Sequence, residues 1–539
     1  MNPIHNNVLT KQLIGLVLCY LILTPSHAEP IINMPAHQLA VKIANGEITS
    51  ESTVRNYLAR IEQLDRKGPK LQSIIAINPD AMRLAKERDQ QIVDGIILGP
   101  LHGVPFLVKD NIETSELPTT AGSLALANNH TKRDAPIIAR LKQAGAIVLG
   151  KTNLSEWANF RDNDSVSGWS GAGGQTRNPH SLDRSPCGSS SGTGAALAAQ
   201  LAPLGIGTET NGSVICPSAM NGIVGFKPSV GLLSRTHIVP ISVTQDTAGP
   251  MTRSVKDAAL MLTIMAGSDK HDASTKLADS KKQDYVASLN MPIKKKRIGI
   301  FRAVQSEHPE IIKAFNEAVA VMQAQGVEVV DINEYETPDD FWQKSLQLLL
   351  IEFKQELNRY LSNSAPEVKT RSLEALITFN NSSPREMAIF SQSLFEEAQK
   401  TEGYNEEYQQ ILAFLQRSTQ AEGIDKLLSI YKVDAIMMPS QVPAFLIDPL
   451  FGDSFAGGFA GAGWMAAIAG YPHVSVPMGS MKGLPINVSF MGAKYTDALM
   501  LNLAYQYEQA THKIIAPTYQ RSSQGLPAFV GAMQPTKQN

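Results

Sequence analysis

The stretch Cys187-Gly-Ser-Ser-Ser-Gly-Thr-Gly-Ala-Ala-Leu-Ala-Ala-Gln-Leu-Ala-Pro-Leu-Gly-Ile-Gly-Thr-Glu-Thr-Asn-Gly-Ser-Val-Ile-Cys-Pro217 sets a Gly/Ser cluster at each end of a run of small residues. Glycines beside serines let the backbone adopt dihedrals closed to other residues and come close to a ligand. Between the clusters, residues 195–201 are Ala-rich without a β-branched side chain, which predicts a helix stopped by Pro203. Residues 204–208 read as a short buried strand delivering Thr210, Asn211, Gly212 and Ser213 at its end. Two serine-bearing loops are thus presented on an ordered scaffold, where catalytic groups commonly sit. A flexible linker would share the composition, but apolar periodic segments bound this stretch.

Working outward, residues 103–108 form a continuous apolar strand ending at Lys109, and residues 146–150 form a second one ending at Lys151. A lysine finishing a strand is ordinarily solvated; beside two serine loops, either amine becomes a candidate base. Residues 134–145 read as a helix before the second strand, the alternation of an α/β fold. Upstream, residues 36–64 carry two helices broken at Gly46, with Thr49 or Ser50 capping the second. Residues 74–77 read as a strand and 80–93 as an amphipathic helix. Trp157 to Phe160 either lines a pocket or packs.

Downstream, residues 254–267 are helical and 268–290 a polar surface connection. A strand at 297–301, a helix at 310–325 and a strand at 327–332 follow. Helical spacing then runs through 341–430, a layer expected over the sheet that could narrow a substrate entrance. Strands at 433–439 and 473–477 and a helix at 497–510 complete the pattern.

With 539 residues, 43% hydrophobic and 18% charged, the chain is long enough to bury a large core, and a soluble globular enzyme is expected. Length alone would suggest two to four domains, but the chemistry-bearing blocks are spread over 99–491, so residues 29–539 read as a single domain. A net charge of −2 offers no basic stripe for nucleic acid. Lys11, the apolar run 13–23 and Ser26-His27-Ala28 read as an export signal over residues 1–28. That run is short for a membrane span, so no stable span is expected after cleavage, and the protein is expected to be periplasmic or secreted; an uncleaved anchor is the alternative. Cys187 and Cys216 each flank a serine loop. An oxidising compartment would allow them to join, whereas the preferred reading takes them as two small packing residues.

The blocks resemble the amidase signature family of serine hydrolases, whose pattern is two serines bracketing a small-residue helix, with Asp or Glu shortly before the closing Gly-Ser. The resemblance covers 188–217 and extends to the segment 99–110, similar to the family's lysine-bearing strand. Gly173-Gly174-Gln175-Thr176-Arg177-Asn178-Pro179, Ser185-Pro186-Cys187-Gly188 and the segment 242–251 look most like bacterial peptide amidases. Many members carry Arg two residues after the nucleophile; Ile215 stands there, a departure that peptide amidases share. The resemblance implies a large mixed, twisted central β-sheet covered by helices on both faces. It also implies a Ser-cisSer-Lys triad of Ser213, Ser189 and Lys109, with a cis peptide before Ser189, and it favours Lys109 over Lys151.

Amide hydrolysis needs a nucleophile, a proton acceptor, a donor to the leaving nitrogen and donors to the oxyanion. Ser213, in the most confined turn, is the candidate nucleophile. Ser189 is the relay, since a hydroxyl both donates and accepts. Lys109 is the base, which must be neutral although an exposed lysine titrates near ~10.4; burial would lower that value, so activity should rise toward mildly alkaline pH. Backbone N–H groups from Thr210, Asn211 and Gly212 to Ser213 are the candidate oxyanion hole. Gly188-Ser189-Ser190-Ser191-Gly192 also fits a G-x-S-x-G elbow with His473 downstream, but the preceding residues 178–186 are polar, with two prolines, where that elbow needs a strand. None of His102, His180, His237 and His473 has a histidine partner at metal-ligand spacing, so neither metal nor cofactor is expected.

The expected activity is cleavage of carboxamides to acid and ammonia, with C-terminally amidated peptides favoured by the resemblance. A general small-amide amidase or an ammonia-releasing amidotransferase-type subunit is the alternative, and a catalytically silent binding protein of the same fold the remote one.

Overall fold

The computed structural model describes residues 31–529, except 456, 457 and 459, together with 532 and 533. The segment 1–28 read as an export signal lies outside the described residues. Thirteen strands are found among the described residues: β1 (Ile74–Ile77), β2 (Pro105–Lys109), β3 (Ile147–Thr152), β4 (Trp169–Ser170), β5 (Gly174–Gln175), β6 (Leu204–Glu209), β7 (Val224–Lys227), β8 (Thr247–Thr252), β9 (Arg297–Phe301), β10 (Glu328–Ile332), β11 (Ala435–Pro439), β12 (His473–Met481) and β13 (Leu484–Met491). Eleven of them form one sheet in the order β1-β3-β2-β6-β8-β7-β12-β13-β11-β9-β10, and β4 pairs with β5 alone. The sheet is mixed, as expected. β2 runs parallel to both β3 and β6, β9 runs parallel to β10 and β11, and the remaining pairs are antiparallel.

Helices cover the sheet in two groups. Ser191–Ala198 packs against Ile215–Asn221, and both rest on the sheet; Pro136–Gln143, Val255–Met265, Pro309–Ala324 and Asp497–Thr511 form the other set. The helix Ser191–Ala198 begins four residues before the expected 195, and its glycines permit that early start. Gly192 lies so close to Ser73 and Asn153 that a Cβ would stand 2.3 Å from the Ser73 carbonyl oxygen. The strand below is cut away in the same manner. A Cβ at Gly205 would meet Thr193 Cγ2 at 2.7 Å, and one at Gly207 would meet Ser190 Oγ at 2.7 Å. These glycines let the serine-bearing backbone settle directly onto β6.

The region 341–430 is helical as expected, with Phe341–Ser362, Leu373–Asn381, Ser393–Gln399, Glu406–Thr419 and Asp425–Tyr431. Phe353, Leu357, Leu361 and Phe395 bury their side chains with Leu126, Trp157 and Phe160. A fully buried ionic cluster fastens this layer: Arg161 lies 2.6 Å from Glu156 and 3.4 Å from Glu386, which also accepts the Leu124 N–H at 2.7 Å. Burial, opposed by Arg161 and reinforced by Glu386, holds the Glu156 carboxyl well above the usual carboxylate range.

Three expectations need correction. Residues 268–290 are not wholly a surface connection: Ala278–Lys281 and Tyr285–Ser288 are helical, and Tyr285 is buried because its ring reaches the core between neighbouring helices. The strand expected at 473–477 continues to Met481 and returns as β13, a hairpin turned at Lys482 and Gly483, both with positive φ. Cys187 and Cys216, read as separate packing residues, form a disulfide. Among the described residues no helix is long and apolar enough to cross a membrane.

Candidate active site

The parallel pairing of β2 with β6 sets Lys109 beside the end of β6, one residue past the Val108–Ile206 pair. Its side chain is fully buried, and Nζ lies 2.8 Å from Ser189 Oγ, 2.8 Å from Thr208 Oγ1 and 3.2 Å from the Thr208 carbonyl oxygen. Among the described residues no carboxylate touches it. Burial therefore lowers its pKa from the usual lysine value to about 7, with Asp246 and Glu209 pulling back through space. A neutral amine has two hydrogens and one lone pair. Thr208 offers two acceptors, so both hydrogens can be held and the lone pair left facing Ser189 Oγ. Asn111 Nδ2 donates to Thr208 Oγ1 at 2.9 Å and holds that hydroxyl in place.

Ser189 follows a cis peptide bond from Gly188, the bond the resemblance implied. Its carbonyl accepts the Ser155 N–H at 3.1 Å, and the next residue, Ser190, donates its N–H to the Ser213 carbonyl at 3.2 Å. That bond ties the two serine loops to each other. Ser213 is 9% exposed, whereas Ser189 and Lys109 are wholly inside; Lys109 and Ser189 are in contact, and among the described residues Ser213 Oγ makes no hydrogen bond to Ser189 Oγ.

The turn carrying Ser213 leaves β6 and enters the helix Ile215–Asn221. Gly212 takes φ +83°, the left-handed region that favours glycine, and a Cβ there would meet nothing within 4 Å, so backbone conformation and not crowding calls for glycine. The N–H groups of Asn211, Gly212 and Ser213 find no acceptor among the described residues. They are the donors an oxyanion would need. The next two N–H groups, of Val214 and Ile215, are taken by Glu209 Oε2 at 2.8 and 3.0 Å. At the other end, Thr210 Oγ1 donates to Asp246 Oδ1 at 2.6 Å, while Asp246 Oδ2 accepts the N–H groups of Ile241 and Ser242. Two carboxylates thus brace the turn on either side.

Of the residues expected from the sequence, Lys109 and Ser189 meet at 2.8 Å, and Ser213 is linked to their loop through its carbonyl; sequence reasoning singled out none of Thr208, Glu209, Asp246 and Asn111. A signal existed for two of them: Glu209 is the acid before the closing Gly-Ser, and Asp246 lies inside the segment 242–251. Of the rivals, Lys151 Nζ turns to Asp110 Oδ1 at 2.7 Å. Ser190 Oγ donates to the Thr208 carbonyl at 3.1 Å, and His473 is fully buried with neither ring nitrogen partnered, so no elbow triad forms. Trp157 and Phe160 pack edge-on against Phe395 and tilted against Phe353; between them only Ala158 reaches the cavity wall.

A cavity of about 910 Å³ opens beside Thr208 and Thr210. Ile238, Val239 and Ile241 give it an apolar side, and Arg359 and Tyr360 of the helix Phe341–Ser362 form part of its wall. Its charges are matched within the protein. Arg133 binds Glu113 at 2.6 Å, Arg235 binds Asp272 at 2.7 Å and Arg359 binds Glu356 at 2.8 Å.

The amidase family model matches residues 52–501. A probable amidase of Arabidopsis thaliana is 35% identical over 87% of this chain and 89% of its own length. A glutamyl-tRNA(Gln) amidotransferase subunit of Thermoanaerobacter pseudethanolicus is 30% identical over 89% of this chain and 97% of its own. Among solved structures, the native peptide amidase from Stenotrophomonas maltophilia superposes with a TM-score of 0.86 at 42% identity, covering 91% of this chain and 99% of that one.

Proposed function

The chain belongs to the amidase signature family of enzymes that hydrolyse amide C–N bonds, and from that premise we propose that it is a peptide amidase, converting C-terminal carboxamides to acid and ammonia through Ser213, Ser189 and Lys109. The observation that carries this reading is the buried amine of Lys109, 2.8 Å from Ser189 Oγ and with a pKa lowered to about 7.

Ser213 Oγ attacks the carboxamide carbon while its proton passes to Ser189, whose own proton passes to the Lys109 lone pair. Ammonium at Lys109 and a tetrahedral oxyanion result, the latter facing the N–H groups of the 211–213 turn. When the C–N bond breaks, the proton returns from Lys109 through Ser189 to the departing nitrogen, and ammonia leaves. Water then attacks the acyl ester of Ser213 by the same path and releases the acid. A typical contribution from one oxyanion donor is about two to three orders of magnitude in rate.

The peptide part of the proposal is supported by the likeness to the peptide amidase and by the cavity, whose apolar side and internally paired ions suit a neutral polar chain better than a charged one. Export to the periplasm or beyond, from residues 1–28, belongs to the same reading. An ammonia-releasing subunit is the second reading, favoured by the amidotransferase relatives at 30% identity. Ammonia release measured across amidated dipeptides, free glutamine, acetamide and a long-chain fatty amide separates them: turnover concentrated on the dipeptide amides is expected, and turnover of glutamine alone would overturn the proposal.

A further inference from the structure

The disulfide between Cys187 and Cys216 stands in an unusual place relative to the proposed chemistry. Cys187 is two residues before Ser189, and Cys216 is three after Ser213, so the bond closes a loop containing both serines, the helix between them and β6. The sulfurs are nearly enclosed, 5% and 7% exposed at their residues, under Met220, Ala444, Phe445 and the half-covered Phe455.

Other contacts hold the same two chain segments, but further from the serines. Asn221 Nδ2 donates to the Pro186 carbonyl at 2.9 Å and to the Pro217 carbonyl at 2.8 Å; Asn178 Nδ2 reaches the Ser185 carbonyl at 3.2 Å and the Met220 carbonyl at 2.9 Å. On the other side Ser190 N–H donates to the Ser213 carbonyl, and Ser190 Oγ donates to the Thr208 carbonyl and accepts the Thr208 N–H. Between these levels, Gly188 lies against Ser155, Asn159 and Ser167, where a Cβ would stand 2.8 Å from Asn159 Nδ2. Cys187 itself takes φ +57°, a region that a non-glycine residue holds only when its surroundings fix it.

We propose that the Cys187–Cys216 cystine is a positioning group that sets the spacing of Ser189 and Ser213, and that opening it lowers catalysis while the asparagine clasps keep the fold. The proposal rests on the triad reading above. The opening step is a two-electron reduction by a dithiol: the S–S bond breaks, each cysteine sulfur gains a proton as a thiol, and the reductant closes its own disulfide. A displacement of about 1 Å between reacting groups costs roughly a hundredfold in rate, so kcat should fall by about tenfold to a hundredfold with KM changed by less than about twofold.

The test compares native enzyme, enzyme reduced with dithiothreitol, and the Cys187→Ala/Cys216→Ala variant, with thiols counted by alkylation and mass spectrometry. Ammonia release from an amidated dipeptide gives kcat and KM. Labelling of Ser213 by a fluorophosphonate reads the serine's reactivity without assuming a substrate. Expected are a lower kcat, slower labelling in the same proportion, an unchanged circular dichroism spectrum and recovery on reoxidation. Should the double variant not fold, Cys216→Ser, of nearly the same volume, carries the comparison together with the reduced native enzyme. Unchanged kcat with only a lower melting temperature would make the bond a mere staple and overturn the inference, as would two free thiols in the untreated enzyme. Native enzyme that neither labels at Ser213 nor releases ammonia from any amide would instead overturn the triad reading itself.

Discussion

Two fully buried lysines stand at the ends of the neighbouring parallel strands β2 and β3, and only one of them has a carboxylate in contact. Lys151 Nζ lies 2.7 Å from Asp110 Oδ1 and also donates to Thr119 Oγ1 at 2.9 Å and the Pro118 carbonyl at 3.2 Å. Lys109 Nζ meets hydroxyls and a carbonyl alone. Burial lowers the pKa of both; for Lys151 the touching Asp110 opposes it, whereas Asp246 and Glu209 act on Lys109 only from a distance. A contacting counter-charge favours the ammonium form, whereas without one burial is left to favour the neutral amine. Asp110 follows Lys109 directly, one residue past the end of β2, so adjacent residues of the chain serve the two purposes.

The widest separation of the two lysines should appear in turnover. Ser213→Ala should remove about six orders of magnitude in kcat, as for the nucleophile of other serine hydrolases, and Lys109→Ala about four, both with native circular dichroism. Ser189→Ala should fall between normal and dead yet fold. Next in size, Lys151→Ala should cost about 3–5 kcal/mol of stability in denaturant unfolding, because Asp110 is left buried and unpaired, with kcat of the folded protein little altered. A dead Lys151→Ala enzyme beside a near-normal Lys109→Ala one would reverse the comparison outright.

The pH profile sharpens it further. Since the neutral amine is the active form and its value is lowered to about 7, kcat/KM should climb about tenfold per pH unit below that value and level off above it. A rise centred near 10 would mean an exposed or counter-charged base. The smallest expected change is in Asp246→Asn, which removes a carboxylate that raises the Lys109 pKa; the midpoint of the rise should move to lower pH by less than about one unit. A shift toward higher pH would break the electrostatic account.

The serine loops and the lysine strand were legible because their chemistry is contiguous in the chain: Gly188 to Ser191, Thr210 to Ser213, and an apolar run closed by Lys109. β8 was not legible as a strand, since Gly249 and Pro250 both disfavour one. Pro250 is tolerated because β7 pairs with β8 only at Met251 and Thr252, so the missing N–H at Pro250 leaves no ladder bond unmade on that side. β13 was missed because Pro485 and Asn487 break up its apolar pattern, although Asn487 is fully buried and bonded to the Ile223 carbonyl at 2.9 Å. The cavity wall was beyond reach for a different reason: Arg235, Asp272 and Arg359 lie far apart in the chain and meet only through tertiary packing. The disulfide turned on the distance between a loop residue, Cys187, and a helix residue, Cys216, which composition does not encode.

The sheet is open, with β1 and β10 as its outer strands, and each rim is guarded in its own way. β1 is four residues long, too brief a template for another chain. β10 carries Glu328 and Asp331, matched by Arg297 at 2.8 Å and Arg302 at 2.9 Å. A second molecule adding a strand there would have to strip water from those ions and disturb their pairing. An eleven-stranded platform that would otherwise template fibrils is thereby kept from growing sideways, and concentrated protein should resist edge-to-edge aggregation least when salt or acid weakens the charges on β10.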